Sequence, residues 1–212
     1  MQSIQTVSEN TIYVGASDRR LAKFENLFPI PRGVSYNAYV ILDEKTALLD
    51  TADASVGAQF LENVAAALDG RKLDYLIVDH MEPDHAAMIE AVLVRWPDLR
   101  LVVNAKTLPM LKMYFPTDSA AIDDALVVKE GDTLDLGKHK LTFVMAPMVH
   151  WPEVMMTFDT TTGTLFSADA FGTFGALEGA LFADEVDFAG KWLDDARRYY
   201  TLSLIHISDP RD

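Results

Sequence analysis

Two short, continuous apolar runs, "DYLIVD" (74–79) and "LRLVVN" (99–104), limit the fold of this chain more than any other feature. Each lies between segments with helical spacing. That pattern predicts strands covered on both faces and linked by βα connections. Upstream, "SYNAYVIL" (35–42) and "TALLD" (46–50) read as two strands joined by the turn "DEK". Residues 55–70 follow with Val56, Phe60, Val64 and Leu68 on one helical face and Gly70 as a stop. "DHAAMIEAVLVRW" (84–96) reads as a second helix, with Asp84 as its N-cap and Pro97 just beyond its end. A third helix-like stretch covers 107–115.

Over residues 121–147 alternation replaces helical spacing, and Gly131 and Gly137 mark turns. "EVMMTFD" and "GTLFSAD" then form a hairpin across "TTTG". Residues 186–200 return to a helical pattern. The order of strands, βα units and hairpins predicts an α/β fold of the αββα sandwich type, two mixed sheets face to face with helices outside. An open doubly wound sheet is the alternative. Against it, no Gly-rich fingerprint opens a βα turn.

The chain has 212 residues, 50% of them hydrophobic, enough for one substantial core. No apolar run approaches membrane-span length, and the first ten residues lack the basic start and apolar stretch of a signal peptide. The expected compartment is the cytoplasm. A net charge of −14 argues against nucleic-acid binding and serves solubility. There is no cysteine, so disulfides, thiolate zinc sites, iron–sulfur clusters and a cysteine nucleophile are excluded. Any metal must be held by His, Asp, Glu or water.

Such residues collect where strands run out. "HMEPDH" (80–85) follows the strand of 74–79, His150 follows "KLTFVMAP", and Asp169 follows "GTLFSA". His80, Glu82 and Asp84, at i, i+2 and i+4, point the same way along an extended loop that Pro83 stiffens. Asp84 and His85 then start a helix and can turn toward a neighbouring point, so one loop can serve two metals. A plain N-cap at Asp84 and a polar loop at a helix start is the bland alternative. His139, in "LGKHKL", reads as a surface turn residue. With three imidazoles, three carboxylates and no sulfur, zinc is allowed. Iron or manganese suits so carboxylate-rich a set as well.

With "GVSYNAYVI", "LLDT", "HWPEVMMTF" and "SADAFGTFG", the loop resembles the N-terminal metallo-β-lactamase-like domain of flavodiiron proteins. Hydrolytic relatives of that domain read H-x-H-x-D-H, whereas here Glu82 replaces the second histidine. The resemblance spans roughly residues 13–200. It implies a pair of non-haem irons, one held by His80, Glu82 and His150, the other by Asp84 and His85, with Asp169 bridging. The activity implied is reduction of dioxygen to water, of nitric oxide to nitrous oxide, or both. Trp151, Phe171 and Phe174 flank ligand positions and can form an apolar wall, with core packing as the alternative. Tyr199 or Tyr200 can reach the site as a donor.

The resemblance also implies electrons from FMN on a C-terminal flavodoxin-like domain, a rubredoxin-like protein or flavin reductase as donor, and a head-to-tail homodimer. No flavin phosphate loop is found in residues 1–212, so FMN is not expected on this chain. The tail 201–212 departs from the family pattern. His206 comes too early to be the family's last histidine ligand, and the sandwich is expected to lack its closing strands. A zinc-dependent hydrolase and an inactive fragment are the competing readings.

Overall fold

The computed structural model describes residues 3–24, 26–116 and 119–207, with side chains in the last helix described to residue 201. The apolar run of 74–79 becomes the strand Tyr75–Ile77 inside a seven-stranded sheet. The sheet order is Gln5–Ser8, Thr11–Tyr13, Tyr39–Leu42, Thr46–Leu49, Tyr75–Ile77, Arg100–Asn104, Leu126–Val128. Its first four strands pair antiparallel. The last three join in parallel, because helices carry the chain back between them.

Register explains why the central runs are apolar throughout. Leu48, Leu76 and Leu101 stand side by side, and so do Leu49, Ile77 and Val102 one residue on. Successive side chains point to opposite faces of a strand, so each run feeds two cores. The first set faces the helices, among them Gly57–Leu68, whose Phe60 and Val64 are fully buried. Burying each contributes about 2 kcal/mol. The second set meets Leu141, Phe143, Met155 and Phe166 of an antiparallel four-stranded sheet. That sheet runs Thr133–Asp135, Lys140–Met145, Met155–Asp159, Thr164–Phe166. The sandwich predicted from sequence is the fold. No helix among the described residues is long and apolar enough to cross a membrane.

The structure corrects several local expectations. The strand of 35–42 is two: Val34–Tyr36 pairs with Ala16–Asp18, and only Tyr39–Leu42 joins the large sheet. The helix expected from Asp84 starts at Pro83, with Glu82 as its N-cap, and breaks into Pro83–Ala86 and Ile89–Arg95. Proline suits the first helical position, which moves Asp84 into the first turn and frees its carboxylate for other work. His139 is buried, not on the surface. Its Nδ1 lies 2.7 Å from Asp159 on the neighbouring strand.

Helix Gly57–Leu68 does end as expected. Asp69 and Gly70 both take left-handed φ, of 47° and 80°. The segment 186–200 forms Phe188–Lys191 and the start of Leu193–Ile207. The expectation for His206 lies outside the described side chains.

Candidate metal centre

Three loops at one edge of the sandwich bring six side chains together. His80, Glu82, Asp84 and His85 come from the loop after Tyr75–Ile77, His150 from the loop after Lys140–Met145, and Asp169 from the loop after Thr164–Phe166. They form two groups that share Asp169. One is His80, Glu82, His150 and Asp169, all buried; the other is Asp84, His85 and Asp169. Within each group the candidate ligand atoms lie within 4.8 Å of one another.

The atoms that converge are specific. His150 Nε2 lies 2.7 Å from Glu82 Oε2 and 3.0 Å from Asp169 Oδ2. His80 Nε2 lies 3.2 Å from the same Glu82 oxygen and 3.3 Å from the same Asp169 oxygen. The other Asp169 oxygen, Oδ1, faces His85 Nε2 at 2.9 Å, and Asp84 Oδ2 lies 3.7 Å from that nitrogen. Donors bound to one ion at about 2.1 Å stand roughly 3.0 Å apart at a right angle and roughly 3.4 Å apart at the tetrahedral angle. The observed separations cluster around those values. Asp84 Oδ1 is buried without a hydrogen-bond partner among the described residues, a donor left for a cation. The residues therefore fit a metal, and the two-oxygen Asp169 fits a bridge.

Charge couples these side chains to one another. Burial works against charging His150, yet hydrogen bonds to Asp169 and Glu82 push its pKa up to about 9. His80 and His85 are raised too, against the same penalty, by their carboxylate neighbours. Burial raises Asp84, the pull of His85 opposes it, and repulsion from Asp169 and Glu82 leaves it at about 7. Burial also works to raise Asp169, but the three imidazoles overcome it and hold that carboxyl well below its usual range. A cation entering such a site displaces these protons.

Two orienting groups were missed as such in the sequence, although both lie in recognised stretches. Glu153 of "HWPE" accepts from His80 Nδ1 at 2.7 Å and from the Met81 amide at 3.0 Å. Asp50 of "LLDT" accepts from His85 Nδ1 at 3.0 Å. Each leaves an Nε2 facing the centre. The backbone is bent to match: Asp50, Met148, Ala168 and Phe171 all have left-handed φ, of 54°, 68°, 47° and 67°. Such conformations cost roughly 1 kcal/mol or more each and persist where surroundings over-determine them.

The expected neighbours separate. The Tyr199 hydroxyl donates to Asp169 Oδ1. Tyr200 is exposed. The Trp151 ring lies 5.3 Å from that of His80 and 6.3 Å from that of His150. Phe174 belongs to the core, against Phe24 and Tyr199. Phe171 is 72% exposed on the rim of a cavity of about 240 Å³, which Asp84, His85, Asp169, Tyr36 and Tyr199 also line.

The chain is similar to known proteins along most of its length. The profile described as "ODP family beta lactamase" matches residues 34–200. A nitric oxide reductase of Moorella thermoacetica is 36% identical over 205 residues, covering 96% of this chain and 50% of the relative. An anaerobic nitric oxide reductase flavorubredoxin of Klebsiella pneumoniae is 37% identical over 204 residues, covering 95% and 41%. Among solved structures, the flavodiiron protein of Giardia intestinalis superposes with a TM-score of 0.87 at 27% identity, covering 94% of this chain and 47% of that one. The rubredoxin oxygen:oxidoreductase of Desulfovibrio gigas does so with 0.86 at 31% identity, covering 93% and 48%. The chain thus spans about half the length of the relatives it matches.

Proposed function

Because the chain belongs to the ODP beta-lactamase family, we propose that its two donor groups hold a pair of non-haem irons in the metal-bearing part of a flavodiiron-type reductase. One ion falls to His80, Glu82 and His150, the other to Asp84 and His85, and Asp169 joins them. The observation that carries this reading is the division of Asp169, with Oδ2 toward one group and Oδ1 toward the other. Similarity to proteins named nitric oxide reductase and rubredoxin oxygen:oxidoreductase supports the substrates, dioxygen or nitric oxide.

The bound ions would supply electrons and Lewis acidity to a small oxygen- or nitrogen-containing substrate. The protein supplies the rest. The cavity beside Asp84, His85 and Asp169 admits a diatomic molecule to the centre. Glu153 and Asp50 fix the histidine rings, and Glu82 adds the negative charge that favours a redox metal over zinc. Burial and the neighbouring carboxylates push the Tyr199 phenol well above its usual range, so its proton stays on the hydroxyl beside Asp169. Electrons would come from FMN on a flavodoxin-like domain, fed by a rubredoxin-like protein or flavin reductase, in a head-to-tail homodimer. None of residues 1–212 is assigned to the flavin. Residues 1–200 are the metal domain on this reading, 201–212 stand outside its pattern, and the location is cytoplasmic.

Anaerobic titration with ferrous iron is expected to reach two ions per chain, and the loaded protein to consume dioxygen or nitric oxide when given reduced flavin. Two firmly held zinc ions with thioester or lactam hydrolysis would overturn the proposal.

A further inference from the structure

The helix Leu193–Ile207 is tied to a distant part of the chain through one acidic side chain. Arg32 donates to Asp195 Oδ2 from Nε at 2.9 Å and from Nη2 at 2.6 Å. Arg198 donates to Asp195 Oδ1 at 2.9 Å. The Arg32 guanidinium also lies 4.3 Å from the centre of the Trp192 ring. Trp192, Asp195 and Tyr199 recur at three- and four-residue spacing, so they share one face of the helical stretch.

That face presses on the segment that carries Asp169. The Gly175 and Ala176 amides donate to the carbonyls of Gly33 and Arg32. A side chain at Gly175 would run into the Trp192 ring, and one at Gly172 into the Tyr199 ring. At the end of the same face, the Tyr199 hydroxyl meets Asp169 Oδ1. Arg32 is 37% exposed and Asp195 16%. An ion pair in that setting adds little stability, but Asp195 is held at both oxygens, Oδ2 by two Arg32 N–H groups and Oδ1 by Arg198, which restricts its geometry. A tyrosine hydroxyl stands roughly 8 Å from its helix axis, so a roll of about 20° moves it by roughly 3 Å, enough to break its hydrogen bond.

We propose that Arg32 and Asp195 are positioning residues that set the roll of helix Leu193–Ile207, keep the Tyr199 hydroxyl on Asp169, and so hold that carboxylate between the two donor groups. The inference rests on the reading of this cluster as a metal centre.

The test uses the full chain, labelled with 3-fluorotyrosine and free of metal. The Tyr199 and Tyr200 fluorine resonances are assigned by their loss in Tyr199→Phe and Tyr200→Phe. In Arg32→Gln and in the near-isosteric Asp195→Asn, the Tyr199 signal is expected to move toward that of exposed Tyr200. Anaerobic titration with ferrous iron should show the weaker of two binding steps lowered about tenfold in each single variant.

A Tyr199 signal that stays in place in Asp195→Asn overturns the proposal. So does equal displacement of all seven tyrosine signals, the mark of general loosening, and so does ferrous binding left unchanged by a displaced Tyr199. If the unaltered protein takes up no ferrous iron, the functional reading fails, while the fluorine signals still decide whether Arg32 and Asp195 position Tyr199.

Discussion

Asp50 and His85 lie 35 residues apart in sequence, and the Asp50 carboxylate accepts a hydrogen bond from His85 Nδ1 at 3.0 Å. The other Asp50 oxygen accepts from the Asp79 amide at 2.8 Å and from the His80 amide at 3.4 Å. One side chain at the end of strand Thr46–Leu49 therefore fixes a ring and the start of the ligand loop. In Asp50→Ala, His85 loses the partner that aims its Nε2. Affinity at the Asp84–His85–Asp169 group should fall about tenfold to a hundredfold. Anaerobic ferrous titration checks this, and two undiminished binding steps would refute the orienting role.

Glu153 does the same for the other group. Burial works to raise its pKa, but the bonded His80 overcomes this and holds the carboxyl below its usual range. Glu153→Gln keeps the shape and removes the charge. It should weaken the His80–Glu82–His150–Asp169 group by about tenfold and leave the other step close to unchanged. Asp50→Ala and Glu153→Gln should thus affect different binding steps. Loss of the same step in both would mean that the two groups do not load separately.

Glu82 is the residue that sets this loop apart from H-x-H-x-D-H. Glu82→His removes one negative charge from the buried group and substitutes a ligand that zinc favours. Protein refolded with equal ferrous iron and zinc should shift toward zinc relative to the unaltered chain, by metal analysis after gel filtration. An unchanged ratio would show that Glu82 does not select the metal.

The layered fold was legible because the strands that build its centre are apolar on both faces. Leu76 and Ile77 feed different cores, and the absence of a Gly-rich fingerprint turned the choice from a doubly wound sheet to the sandwich. That these six side chains cluster was legible because they sit at strand ends within "HMEPDH", "HWPE" and "SADAFG". What escaped was pairing at a distance. Nothing near Asp50 in the sequence says that its partner is His85, and nothing in "LGKHKL" says that Asp159 faces His139. The interruption of the helix after Ala86 was hidden as well. Its apolar spacing is continuous, and the break follows from Thr51, whose amide and hydroxyl both bind the His85 carbonyl.

The core itself offers a test that leaves the site aside. Phe60 is fully buried between helix Gly57–Leu68 and the large sheet. Phe60→Ala removes most of that burial and leaves a cavity, at a cost of about 3 to 5 kcal/mol. The urea midpoint should fall accordingly. If the variant still folds in buffer, its ferrous stoichiometry should be unchanged, which separates loss of stability from loss of the site.

The buried pair His139–Asp159 makes stability depend on pH in a predictable direction. Burial raises the Asp159 pKa, but the bonds from His139, Thr162 and the Thr161 amide outweigh it and hold the carboxyl below its usual value. A depressed carboxyl stabilises the folded chain above the unfolded pKa of about 3.9, and that contribution is lost as pH falls through the folded value. Asp159→Asn keeps the size of the side chain but not its charge. At pH 7 the metal-free variant should be less stable by about 2 kcal/mol, the scale for hydrogen bonds to a charged group. The gap should begin to narrow below about pH 4 and close only as pH falls through the lower folded value, where the native carboxyl takes up its proton. Urea unfolding of both proteins at pH 7 and over a descending series below about pH 4 measures it, and a gap that does not narrow along the series would place the pair's contribution in packing, not charge.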